Sequence, residues 1–410
     1  MDLVLRNATI ADAAGASRVD IGVDGGRIVQ LATQVPSGAR DIDVAGRLVT
    51  AGFVETHIHL DKACILDRCN PSEGTLAEAI TQVAAAKKRF TEDDVFERAS
   101  RALYKAIGHG TMRVRTHVEV DPGIALRGFD GVKRAAAACR FGVDVELCVF
   151  PQEGLTNNPG TEALMRRALG AGATVVGAAP YTDANPHAQI DRVFEIARDF
   201  DADIDMHLDL GDSPDSMDVE YVCEVTQRYR YGGRVAIGHV TKLSLVPPER
   251  FEAIARRLAE AGVAVTVLPS TDLYLMGRHD DHAVVRGVLP AHRLLRAGVN
   301  CSLSTNNLLN PFTPYGDASL VRAANLYANV CHAGTSHDLD ECLAMITRRS
   351  ARLLRHDDYG IAVGNPADLV VLDCTTTAQA VAEIAPALMG FKRGLKTFTR
   401  PPVEIHREAT

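Results

Sequence analysis

"LVTAGFVETHIH", residues 48–59, is an apolar, β-branched run that ends on two histidines one residue apart. β-branched side chains crowd a helix and suit a pleated sheet, so the run reads as a strand. Residues i and i+2 of a strand leave on the same face, and His57 and His59 therefore reach toward one point. The same unit recurs: a short β-branched run, a polar residue at its end, then a longer segment with helical spacing. Seven further strands are expected at 112–120, 143–150, 173–180, 202–209, 234–240, 263–270 and 300–307. Helical stretches such as "LAEAITQVAAAKKRF" and "RFEAIARRLAEAG" separate them, the second closing at a glycine as helices often do. Eight alternating units predict an α/β protein built on a closed (β/α)8 TIM barrel rather than an open sheet of mixed order.

The flanks differ from the middle. "DLVLRNATIADAAGASRVDIGVDGGRIVQLA" at one end, and "GNPADLVVLDCTTTAQAVAEI" through "KRGLKTFTR" at the other, alternate apolar and polar residues and turn often. They predict a small β-sandwich domain formed by both termini, residues 1–50 with 357–410, leaving 51–356 to the barrel. The glycines of "ALGAGATVVGA" end a helix and precede a strand, the reverse of a dinucleotide fingerprint, and read as turn residues.

Composition narrows the partners. A chain of 410 residues with a formal net charge of −8 and no long basic run has no electrostatic footprint for nucleic acid or an anionic membrane, which leaves a small-molecule substrate. The start, "MDLVLRNATIADAAG", has no basic segment before an apolar core, and no apolar run is long enough to span a bilayer. Nine cysteines without a framework spacing read as reduced thiols, many of them buried. A cytoplasmic protein is expected.

In a TIM barrel the C-terminal strand ends share one mouth. His57, His59, His117, Glu119, Gln152, His207, Asp209, His239 and Asn306 would therefore be neighbours in space. Imidazole nitrogens suit a borderline divalent ion such as zinc or iron. An isolated H-x-H serves equally well as a solvated strand end; the reading shifts toward metal because His207 and His239 close the fifth and sixth strands. His109, His187, His292, His332, His337, His356 and His406 fall on helices or connections, where capping or surface duty is the default. His279 and His282 lie in a polar loop after the seventh strand that could cover the site. His117 is either structural or placed behind the metal ligands. Gln152, in "FPQEG", either reads a ring carbonyl and ring N–H or braces its loop.

The ordered series "FVETHIHLDKA", "VRTHVEVD", "VFPQEG", "DMHLDLGDS", "IGHVTKLS", "NPFTPYG" and "YGIAVGNPADLVVLD" resembles the amidohydrolase superfamily, most closely its cytosine deaminase branch, which includes the isopropylammelide hydrolases. The resemblance implies one divalent metal ion, zinc or iron, held by His57, His59 and His207, with Asn306 at the position of an eighth-strand carboxylate. It also implies that His239 orients or deprotonates the attacking water, that Gln152 and Asn307 face the substrate ring, and that Leu76 and Phe312 bracket it. Self-association is common among such proteins, without a stoichiometry that the sequence reveals.

Two departures qualify the likeness. Leu210 stands where the family places a proton-shuttling glutamate, and Asn306 and Asn307 stand where it places paired aspartates. An asparagine offers a carbonyl oxygen but no charge and no basic site. Losing one acid–base group typically costs on the order of a hundredfold to ten-thousandfold in rate, which argues against cytosine itself as substrate. Asp209, on the strand face of His207, is the first candidate for the missing group, with Asp272 and His239 as alternatives. The expected function is metal-dependent cleavage of a C–N bond, by deamination or amide hydrolysis, in a small cyclic nitrogen compound. Opening of a lactone, lactam or imide ring on the same fold, and a catalytically silent binding protein, are the competing readings. The paired H-x-E and P-C-x-x-C signature of the other zinc deaminase class does not occur.

Overall fold

A computed structural model describes residues 1–12 and 15–406. Eight parallel strands run Phe53–Ile58, Thr111–Glu119, Asp144–Phe150, Val175–Ala178, Asp203–Leu208, Val235–His239, Val263–Val267 and Cys301–Leu303, each hydrogen-bonded to the next in chain order. The first, second, fifth and sixth are buried at every position, as strands covered on both faces must be. The ring closes between the eighth segment and the first. Asn306 N–H donates to His57 O at 3.0 Å and His59 N–H donates to Asn306 O at 2.9 Å. Deeper in the same seam, Thr56 Oγ1 lies 2.8 Å from Ser302 Oγ and 2.7 Å from Ser304 Oγ. The closing residues thus include those expected at the metal.

Three expectations need adjustment. The run 48–59 is two strands in two sheets: Val49–Ala51 pairs with Leu369–Val371, and the chain enters the barrel only at Phe53. Gly52 makes that passage, where a Cβ would stand 2.4 Å from Met112 Sδ. The eighth strand stops at Leu303 instead of running to 307, because Asn306 takes a left-handed φ of 60°, a conformation asparagine tolerates, and the chain turns across the mouth. Gly177 is no turn residue. It lies within the fourth strand, where a Cβ would come 2.6 Å from Phe150 Cβ and 3.0 Å from Asp205 O.

Both termini contribute to two four-stranded sheets. One has the order Arg27–Ala32, Gly15–Asp24, Leu3–Asp12, Asp41–Asp43; the other has Leu395–Thr399, Ala387–Lys392, Leu369–Leu372, Val49–Ala51. Leu5, Ile21, Ile28, Val49, Leu369, Val371 and Phe391 fill an apolar core between them. The two-residue repeat of Leu369–Leu372 serves both bodies: Leu369 and Val371 enter this core, while Val370 and Leu372 join the barrel core. Among the described residues no helix is long and apolar enough to cross a membrane.

Candidate active site

The first strand brings His57 and His59 inward, and the fifth brings His207 to meet them. His57 Nε2 lies 3.1 Å from His207 Nε2, and His59 Nε2 lies 3.0 Å from the same atom. All three rings are buried. Burial, then the neighbouring His117, pushes His57 down to about 3, and burial holds His59 and His207 well below the usual histidine range. The rings are therefore neutral, the form that ligates a metal. Nitrogen donors about 2.0–2.1 Å from one ion, at right to tetrahedral angles, lie roughly 2.8–3.4 Å apart. The His57–His207 and His59–His207 spacings fall in that range, and ligand nitrogens of His57, His207 and His239 lie within 4.8 Å of one another.

Hydrogen bonding alone accounts poorly for this cluster. His207 Nε2 has one proton or one lone pair to divide between two neighbours. Asp205 Oδ1 lies 3.7 Å from His57 Nδ1, which favours a proton on Nδ1 and turns the Nε2 lone pair toward the other two rings. A cation beside His207 Nε2 would resolve both difficulties. Asp205 sits two residues before His207 on the same strand face, held by Arg115 Nη1 at 3.0 Å. Burial raises its carboxyl, but His117, His57 and Arg115 outweigh burial and keep it below the usual carboxylate range. His117 stacks on His57 at 3.7 Å between ring centres and lies 3.5 Å from Asp205 Oδ1; it supports the cluster from behind and does not line the cavity.

His239 ends the sixth strand with a left-handed φ of 70°, and its ring offers a nitrogen near His57 and His207. Its Nδ1 is 2.5 Å from Asp272 Oδ1. Burial pushes the Asp272 carboxyl up while the contact with His239 pulls it down; its second oxygen accepts from Leu268 N–H at 3.1 Å. A carboxylate at Nδ1 fixes the proton there and leaves Nε2 as a base. Asn306 also lines the cavity, with its buried Oδ1 lacking a partner.

The expected acid–base role of Asp209 meets a geometric obstacle. Its carboxylate accepts from Asp218 N–H at 2.8 Å and Val219 N–H at 3.0 Å, capping the helix Val219–Tyr229, and it is absent from the cavity lining. Leu210, by contrast, lines the cavity.

A small cavity adjoins the histidines, with Leu76, Gln152, Asn307 and Phe312 on its walls as expected. Lys62, Tyr181, Thr271 and Leu275 line it too and were not anticipated. Lys62 Nζ donates to Glu119 Oε1 at 2.7 Å and to Gln152 Oε1 at 3.3 Å, and lies 4.4 Å from the Phe312 ring centre. Glu119 in turn accepts from Lys87 Nζ at 3.0 Å. Burial would raise Glu119, but the two lysines outweigh it and hold the carboxyl down to about 2. A signal for Lys62 was available in "HIHLDK", a cation three residues beyond the histidine pair. Outward, Leu76, Leu210 and Leu275 form an apolar passage to a vestibule that His279 reaches; His282 does not line either space.

Comparison with known proteins places the chain in a family. The model of the amidohydrolase family matches residues 40–143 and 132–389. The chain is 28% identical over 404 residues to the N-isopropylammelide isopropyl amidohydrolase of Pseudomonas sp. (strain ADP), covering 96% of each chain. It is 28% identical over 386 residues to the pterin deaminase of Rhizobium rhizogenes, covering 90% of this chain and 87% of that one. The crystal structure of 5-methylcytosine deaminase from Klebsiella pneumoniae liganded with 5-fluorocytosine superposes with a TM-score of 0.94 at 28% identity, over 99% of this chain and 100% of that one.

Proposed function

Because the chain belongs to the amidohydrolase family, we propose that it is a metal-dependent hydrolase cleaving a C–N bond of a small cyclic nitrogen compound, by deamination or amide hydrolysis. The observation that carries this reading is the buried cluster of neutral rings in which His57 Nε2 and His59 Nε2 lie 3.1 Å and 3.0 Å from His207 Nε2. His57, His59 and His207 would hold zinc or iron, with the unpartnered Oδ1 of Asn306 as a neutral oxygen donor. A divalent ion there lowers the pKa of a water toward neutrality and polarises the carbon under attack.

The protein's own groups do the rest. His239 Nε2 accepts a proton, and Asp272 stabilises the imidazolium that results. The same Nε2 returns the proton to the departing nitrogen, because Leu210 has none to give and Asp209 is engaged with backbone N–H groups. Leu76 and Phe312 flank the ring, and Gln152 and Asn307 hydrogen-bond its edge. Single-base catalysis favours substrates whose leaving nitrogen needs little help, which supports a compound other than cytosine. Leu210 also supports a second reading, hydrolytic opening of a lactam or imide ring, where protonation of the leaving group is less demanding. Nine unpaired cysteines, eight of them buried, support action in a reducing compartment such as the cytoplasm.

The test is a panel of amino- and oxo-pyrimidines, triazines, pterins and cyclic imides, assayed for released amine and for ring opening. Metal-replete protein is expected to turn over at least one member, to lose that activity to a chelator and to regain it with zinc or iron(II). Rings bound without any turnover by metal-replete protein would overturn the proposal in favour of a binding protein.

A further inference from the structure

The polarity of the cavity's amides is fixed by groups that can only donate. Asn310 Oδ1 accepts from the backbone N–H of Phe312 at 3.0 Å and of Thr313 at 3.2 Å. Its Nδ2 must therefore point the other way, where it donates to Asn307 Oδ1 at 2.7 Å and to Lys62 O at 3.3 Å. With its oxygen so engaged, Asn307 has only its NH2 group left for the cavity that it lines. An ammonium has no lone pair, so the contact at 3.3 Å from Lys62 Nζ likewise claims Gln152 Oε1. Gln152 Nε2 is left buried and unpartnered in the cavity wall.

Three donors thus face the space beside the histidines: Gln152 Nε2, Asn307 Nδ2 and the remaining N–H of Lys62. No carboxylate lines it; the other polar groups are the Tyr181 and Thr271 hydroxyls, Asn306 Oδ1 and the rings of His59, His207 and His239. A buried donor without a partner costs more than a hydrogen bond gains, so a ring that turns amino groups toward these donors is rejected more strongly than a matching ring is attracted. Charge is a weaker criterion, because Glu119 beside Lys62, with Asp121 and Glu153 around Lys87, offsets the ammonium.

Resting on the reading of this cavity as the substrate site, we propose that it selects by acceptor pattern. The substrate is an oxo-substituted nitrogen ring whose recognised edge carries carbonyl oxygens as its exocyclic groups, and edges that carry amino groups there are excluded. The scissile nitrogen lies on the histidine side, away from the donor-read edge.

The test is calorimetric binding of two rings of one size to the metal-loaded full-length protein, at a pH where both are neutral: uracil, whose two carbonyl oxygens flank a ring N–H, and 2,4-diaminopyrimidine, whose two amines flank an unprotonated ring nitrogen. Uracil is expected to bind at least about tenfold more tightly. Gln152→Glu and Asn307→Asp each replace a donor by an acceptor at nearly constant shape, and either is expected to weaken uracil about tenfold and narrow or invert the preference. Equal or tighter binding of diaminopyrimidine by the wild type would overturn the inference, as would failure of both rings to bind. Because no turnover is read, uracil preference in a protein that hydrolyses nothing upholds the inference while removing the hydrolase; turnover with the opposite preference does the reverse.

Discussion

Asp272 sits 2.5 Å from His239 Nδ1 and so decides which ring nitrogen is free to accept a proton. Asp272→Asn keeps the shape and removes the charge that stabilises an imidazolium. It is expected to lower kcat on the order of a hundredfold or more while leaving bound metal unchanged, as measured by steady-state kinetics beside elemental analysis. Glu119 carries a different burden, since two buried ammonium groups depend on it. Glu119→Gln strands the Lys62 ammonium, while Lys87 keeps Asp121 and Glu153, and is expected to cost about 3–5 kcal/mol in urea unfolding. Much at this scale was legible from the strand repeat. His57 with His59, Arg115 with His117 and Glu119, and Asp205 with His207 are i, i+2 neighbours whose shared face follows from pleating alone. Lys62, Tyr181 and Asp272 were harder, because their positions depend on the path taken after a strand ends. Asp209 misled for the same reason: it shares the strand phase of His207, but φ of 49° at that residue ends the strand and commits its carboxylate to the next helix.

Between strand and helix, a carboxylate organises the loop above the cavity. Glu78, in the first turn of the helix Leu76–Lys87, accepts from the backbone N–H of Ser72, Glu73 and Gly74. The Ser72 N–H, then burial in the opposite sense, then the other two donors set its carboxyl, which is held down to about 2 from an ordinary 4.5. A depressed carboxyl stabilises the fold fully above its unfolded value and ceases to do so as pH falls through its folded value. The loop is therefore expected to stay protected above pH 4.5 and to loosen as pH drops toward 2, read as faster amide exchange of residues 72–74. Protection unchanged to pH 2 would contradict this. Strand order and number were readable because each β-branched run is followed by a helical period. The lengths were not: the first run hides a change of sheet at Gly52, and the eighth is cut short by the left-handed turn at Asn306.

The whole molecule joins a barrel that carries the chemistry to paired sheets that carry none of it. Phe391, 1% exposed, fills the core shared by the terminal sheets, far in sequence from every cavity residue. Phe391→Ala is expected to cost about 3–5 kcal/mol on unfolding and to leave metal content intact, which separates the stability role of these sheets from the site. Barrel closure depends on the same backbone that carries His57, His59 and Asn306, so the architecture and the placing of these side chains stand together. The most direct measurement is an anomalous difference map from crystals of metal-replete protein. The account predicts one peak about 2.0–2.2 Å from Nε2 of His57, His59 and His207. Absence of a peak there, with the three rings turned apart, would contradict it.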